Sequence, residues 1–336
     1  DLVEAPPFLR GKNLIDEDVI AAVEKVIAGR GAEILRLWVA AEDYSEDVRL
    51  GEELIDRLGE SYRKIRNTIR FMLGNLSDFD PDTMRVDASK LCALDRWMLG
   101  RTARLAERVV TAYEQYEFHT IYHAAVNFCS VDLSAMYLDV LKDRLYASSA
   151  GSVERRGAQT VIFHSLDVLV RLLAPILCFT MEETWSAMPA WKGKQESVHL
   201  STFPRCPSYW SDETLASRFD QLLAVREAVS GVLEEARREK KIGSSVDASV
   251  KIVVDAPTKA LLDGLQSEPR GGQLRDVLIV SEVEVIAGGS ATPEVRVAPS
   301  THAKCARCWQ RVADIGNNSA HPLICGRCVD AVKGLA

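Results

Sequence analysis

Four of the chain's eight cysteines stand as two pairs, each with two residues inside it: Cys305-Ala306-Arg307-Cys308 and Cys325-Gly326-Arg327-Cys328. Two residues between cysteines let one tight turn aim both sulfurs at the same ion, and two such turns complete a closed tetrahedron around Zn²⁺. A closed tetrahedron leaves no position for a reacting water, so the one metal expected here is structural. Disulfides or a thioredoxin-type redox pair would use the same residues, but nothing else in the chain suggests an oxidising compartment. Gly326 suits a turn that needs positive φ. Lys304, Arg307, Arg311 and Arg327 are expected to offset the thiolate charge and to stay free to meet phosphate. Trp309 follows the first pair directly, so its indole projects from a fixed turn. It either stacks on an unpaired base or lies over the metal core as an apolar lid.

Other spacings argue for less. His119 and His123 are four apart on one helix face, but Thr120 stands where a metalloprotease helix needs its glutamate. Lys241 to Ser245 could pass for a phosphate loop, yet it runs from a helix into a strand and reads as a cap. Gly243 is placed to close that helix, and Arg237, Arg238, Lys240 and Lys241 gather where the macrodipole favours cations. Cys92, Cys129, Cys178 and Cys206 are isolated and read as packing residues. With no Gly-rich phosphate loop, dinucleotide fingerprint or hydrolase elbow, the chain shows no catalytic centre. The net charge of −7 excludes nucleic-acid binding driven by overall charge but allows local patches. One such patch is Arg63, Lys64, Arg66 and Arg70, which either tracks a phosphate backbone or forms a solvated helix face.

Positioning these residues takes more than one compact core, and 336 residues predict two or three domains. Leu54, Leu58, Tyr62, Ile65, Ile69, Met72 and Leu76 recur at helical spacing. A second helix should turn Leu91, Leu94, Met98, Leu105, Val109, Tyr113 and Tyr116 inward, a third run from Phe118 to Tyr146, and a fourth end at Pro175. Another helix carries Leu215 to Leu233. Val246 to Val254, Val277 to Ile286 and Val295 to Val297 read as strands, with a helix from Lys259 to Leu265. The reading is mainly α: residues 1–30 as a divergent N-terminal segment, 31–205 as an antiparallel-type helix bundle, 206–300 as a helix plus a small α/β junction module, and 301–336 as a zinc ribbon or knuckle. No apolar run approaches membrane-spanning length and Asp1 to Pro7 lack the features of a signal peptide, so a cytoplasmic protein with no membrane partner is expected. A start at Asp1 rather than Met suggests a piece of a longer polypeptide or a processed product.

The stretches Gly31 to Ser45 (GAEILRLWVAAEDYS) and Ser61 to Asn75 (SYRKIRNTIRFMLGN) resemble bacterial-type isoleucyl-tRNA synthetase, a class I enzyme, after its catalytic core. Leu173 to Thr180 with Glu182-Glu183-Thr184-Trp185 is similar to the anticodon-binding helices shared by the isoleucine, valine, leucine and methionine enzymes. The tail cysteines with Trp309 look like the C-terminal zinc module of the isoleucine enzyme. These signatures occur in the family's order from about residue 24 onward. The resemblance implies a class Ia anticodon-binding bundle that grips tRNA(Ile), with Arg307 and Trp309 on anticodon bases and Arg63, Lys64, Arg66 and Arg70 along the stem-loop backbone.

Where the family carries its second ATP-binding signature, this chain has Lys12-Asn13-Leu14-Ile15-Asp16-Glu17-Asp18-Val19. The first ATP signature and the nucleotide-binding and editing domains are not in the chain either. The chain alone is therefore expected not to be catalytic, ATP belonging to the full-length enzyme, a monomer in which the catalytic and editing domains would be this region's partners. The alternative is a free-standing RNA-binding or protein-interaction module derived from a synthetase.

Overall fold

A computed structural model of the chain describes residues 31–46, 51–269, 271–289 and 292–334. The segment 1–30, with the departure from the ATP signature, lies outside the described residues.

Gly31, at φ 82°, opens α1 (Ala32–Ala41), which buries Ile34, Leu37 and Ala40. In α2 (Glu52–Gly74) the buried stripe is Ile55, Leu58, Ile65, Thr68, Ile69 and Met72, so it begins at Ile55 and not at Leu54. Arg36 of α1 donates to the carbonyls of Ile176 (2.8 Å) and Pro175 (2.7 Å), the turn that the proline enforces after the helix ending at Leu173. α3 (Ala93–Glu114) buries twelve of its residues. Tyr116, expected to face inward, is 64% exposed. It is the left-handed residue (φ 60°) of the turn that closes α3, with the Glu117 N–H on the Ala112 carbonyl at 2.8 Å, so it has left the helical stripe.

From Phe118 to Ala147 the chain is helical without a break: α4 (Phe118–Asn127), wider turns over Phe128–Tyr137, and α5 (Leu138–Ala147). At the junction the Leu138 N–H reaches back five residues to the Leu133 carbonyl. By length and composition this 30-residue run could cross a membrane, contrary to the sequence expectation. Its most apolar window is 61% buried inside the fold, which is the character of a core helix. α6 (Val153–Leu173) is capped by the Ser152 hydroxyl and is buried along most of its length; α7 (Cys178–Ala187) follows. α8 (Glu213–Arg238) is capped by Asp212 and joined to α3 by the stacked rings of Phe219 and Trp97, 5.1 Å apart. Its closing left-handed residue is Lys240 (φ 58°), with the Lys241 N–H on the Ala236 carbonyl, and not Gly243. The helix stops before the glycine is reached, so the reversal falls on the lysine.

The sheet has β1 (Ala248–Val254) in its centre, parallel to β2 (Glu282–Ala287) and antiparallel to β3 (Glu294–Pro299). Val250 faces Val283 on one side and Val297 on the other. The parallel connection needs a crossover, supplied by α9 (Ala256–Gln266) and the short α10 (Leu274–Leu278). The strand expected over Val277 to Ile286 is thus two elements: Val277 and Leu278 end α10, Ile279 turns left-handed at φ 56°, and β2 starts at Glu282. A short apolar run does not by itself separate a buried helical turn from a strand; here α10 is held against α5 and α8. One apolar core runs from the helices into the sheet, while Cys305, Cys325 and Cys328 form a small core of their own.

Candidate metal centre and nucleic-acid interface

The first cysteine pair sits in a hairpin closed by an antiparallel bridge between Lys304 and Arg311. The Cys305 N–H donates to the Gln310 carbonyl (2.9 Å) and the Trp309 N–H to the Cys305 carbonyl (3.0 Å). Cys325 caps α11 (Gly326–Lys333) and Cys328 lies in its first turn. The Ala306 N–H on the Leu323 carbonyl, at 3.0 Å, ties the two halves together. All four sulfurs lie within 4.8 Å of one another, with Cys308 and Cys325 3.8 Å apart. Zn–S bonds of about 2.3 Å in a tetrahedron place sulfurs about 3.8 Å apart, so the site fits that ion. Gly326 does not take the positive φ expected of it. Its N–H donates to Asp314 Oδ2 at 2.7 Å, and a Cβ would stand 2.9 Å from that same oxygen. A side chain at 326 would push the Asp314 carboxylate away from that N–H.

Trp309 takes a positive φ of 65° and is 66% exposed. That geometry belongs to a ring presented to solvent and not to a lid over the sulfurs. The basic residues around it are not free, contrary to expectation. Arg307 Nη1 donates to the Ala147 carbonyl at the end of α5 and lies 3.6 Å from Cys328 Sγ. Arg327 Nη2 is 2.7 Å from Asp143 Oδ1, also on α5. Lys304 and Arg311 both hold Asp247 Oδ1, at 3.2 and 2.9 Å, just before β1. Burial works to raise the Asp247 carboxyl, and Arg311 and Lys304 outweigh it, leaving it below the usual range. The cations join the module to the rest of the chain because a thiolate cluster and two carboxylates compete for them at short range.

On α2, Arg63 pairs with Glu60, and Arg66 lies 3.6 Å from Glu183 of α7. Lys64 and Arg70 are exposed and carry no ion pair among the described residues. His119 is partly buried and His123 exposed, and neither belongs to a metal-capable cluster among the described residues. Cys92 and Cys129 are buried, which pushes both thiols up to about 12 and suits packing.

Sequence reasoning passed over Asp143, Asp247 and a buried node in the bundle. Asp95 and Arg144 are 1% and 2% exposed; Arg144 donates to both Asp95 oxygens at 2.9 and 2.7 Å, and Tyr137 donates to Asp95 at 2.7 Å. Gly271, at φ 87°, packs so closely on Arg144 that a Cβ would lie 2.1 Å from its Cδ. These partners are far apart in sequence, so no local spacing announces them.

The family model described as the anticodon-binding domain of tRNA ligase matches residues 95–252, and that of the zinc finger found in FPG and IleRS matches residues 304–331. The isoleucine–tRNA ligase of Syntrophotalea carbinolica is 48% identical over 318 residues, 92% of this chain and 34% of its own length. Those of Geobacter sulfurreducens and Moorella thermoacetica are 45% and 43% identical, covering 94% and 92% of this chain and 34% of each relative. The chain spans about a third of the length of the curated relatives it matches.

Proposed function

We propose that this chain, which spans about a third of the isoleucine–tRNA ligases it matches, is part of such a ligase, binds tRNA(Ile) and recognises its anticodon. The observation that carries this reading is Trp309, an exposed indole mounted on a left-handed turn inside the cysteine hairpin, where a rigid ring loses little freedom on stacking with an unpaired base. Cys305, Cys308, Cys325 and Cys328 hold one structural Zn²⁺, whose four thiolates leave no place for a reacting water. Arg307 braces the cysteine turn through the Ala147 carbonyl, and Lys64, Arg66, Arg70 and Arg63 follow the stem-loop phosphates without reading sequence. In this reading residues 31–205 form the bundle, 206–300 the junction and 301–336 the zinc module. Isoleucylation and ATP binding belong to the remaining length of a monomeric, cytoplasmic enzyme.

The test is binding of the zinc-loaded chain to a tRNA(Ile) transcript and to a non-cognate tRNA across a salt series. Preference for tRNA(Ile), with affinity falling as salt rises, supports the reading. Equal binding of both tRNAs, or none by a folded chain, overturns it. Trp309→Ala should cost roughly 1–3 kcal/mol of that binding. ATP–pyrophosphate exchange by the chain alone would contradict the assignment of chemistry to the rest of the enzyme.

A further inference from the structure

α2 and the helical run 128–147 lie side by side with their residue numbers rising together, as the 2.9 Å contact between the Thr68 and Ser134 hydroxyls and the 3.4 Å contact from Asn75 to the Tyr146 hydroxyl show. Between them opens a hollow of about 440 Å³ lined by Lys64, Asn67, Phe71, Ser130 and Ser134, and by Asp139, whose charge Lys142 holds at 2.7 Å. A second, of about 450 Å³, shares Asn67 and Phe71 and adds Arg70 and Tyr146. Each is within the roughly 300–1,000 Å³ of small-ligand sites. The wide turns of 128–137 help shape the first hollow, since Ser130 and Ser134 both belong to them.

The charges are selective. Of the five cations on α2, Arg57, Arg63 and Arg66 have acidic partners, and the two that line the hollows are Lys64 and Arg70. Tyr146, at the far end, is 60% exposed, and the next residue, Ala147, gives its carbonyl to Arg307. The groove therefore leads to the module that presents Trp309.

The geometry points to a subsite for an unpaired nucleotide of an RNA loop. Lys64 and Arg70 hold phosphate, the base lies against Phe71 and Tyr146, and the Asn67 amide meets its edge. The subsite rests on the tRNA-binding reading above and extends it, because α2 then reads a base besides following phosphates.

The experiment places 2-aminopurine at each loop position of a tRNA(Ile) anticodon stem-loop and titrates the zinc-loaded chain. One position should change its fluorescence on binding. Tyr146→Ala should abolish that change and weaken binding about tenfold, and Lys64→Ala should lower the salt slope by about one. Asn67→Ala should weaken discrimination at the same position. All three side chains are exposed, and unchanged thermal unfolding shows that the variants fold. If the unaltered chain binds and both the Tyr146→Ala and Asn67→Ala variants behave like it, the subsite is overturned while tRNA binding stands. If the unaltered chain binds neither the stem-loop nor whole tRNA(Ile), both readings fall.

Discussion

Arg327, between two residues of the second cysteine turn, is gripped by Asp143 of α5 across 184 positions of sequence, with Nη2 2.7 Å from Oδ1. Both side chains are mostly covered, at 16% and 24% exposed. One helical turn further along α5 the Ala147 carbonyl accepts from Arg307. On the other side Asp247 holds Lys304 and Arg311. The cysteine module is thus clamped to the bundle and to the sheet, and the direction in which Trp309 points is set by α5 as much as by the sulfurs.

Asp143→Ala should loosen this clamp and leave the four cysteines able to bind zinc. Removing the carboxylate strands a largely covered guanidinium, a loss of roughly 1–3 kcal/mol in docking. Limited proteolysis between residues 299 and 304 should accelerate while zinc content holds at one ion. Cleavage at the unaltered rate would show that the Ala147 and Asp247 contacts fix the module without Asp143.

Chelating zinc should unfold the module and spare the bundle, since the cysteine core is separate from the main one. Hydrogen exchange would show residues 301–334 losing protection with α3 and α6 unchanged, and Cys305→Ser should do the same without chelator. Loss of protection throughout the chain would refute this independence.

Asp95→Ala should destabilise the bundle by about 3–5 kcal/mol, because it leaves the Arg144 charge buried without its partner. Replacing both, as Asp95→Leu with Arg144→Met, should cost less than the single change. Gly271→Ala should also destabilise, since its Cβ meets the Arg144 side chain at a backbone angle that favours glycine. Urea unfolding midpoints rank the three; a double variant weaker than Asp95→Ala would contradict the burial argument.

His164 gives the fold a pH dependence. Burial, with a smaller push from Arg85, lowers its imidazole to about 4, and Trp210 packs against the ring at 5.3 Å. Because the folded value lies below the unfolded value, the unfolded chain binds more protons between about 4 and 6.5. The contribution is complete above about pH 6.5 and lost as pH falls toward 4, in total roughly 3 kcal/mol. His164→Phe should flatten stability over that window, measured by urea unfolding at pH 7, 6 and 5. An unchanged slope would assign the effect to other groups.

The cysteine spacing, the helical stripes of α2 and α3 and the resemblance in order of four signatures were legible in the sequence, because each depends on residues within a turn or two of one another. The cysteine pairs specify their own turns, and apolar recurrence specifies which face of a helix is buried, whatever the rest of the chain does. Local signals misplaced what depends on neighbours: the apolar run from Val277 became a helical turn because α5 and α8 pack on it, and Tyr116 turned outward with the chain reversal. The fate of the basic residues was decided only in three dimensions. Arg307, Arg327, Lys304 and Arg311 look in sequence like a patch awaiting phosphate, and the fold gives them to Ala147, Asp143 and Asp247. Charge pairing over short distances depends on which carboxylates the tertiary structure brings near, and no spacing along the chain records that.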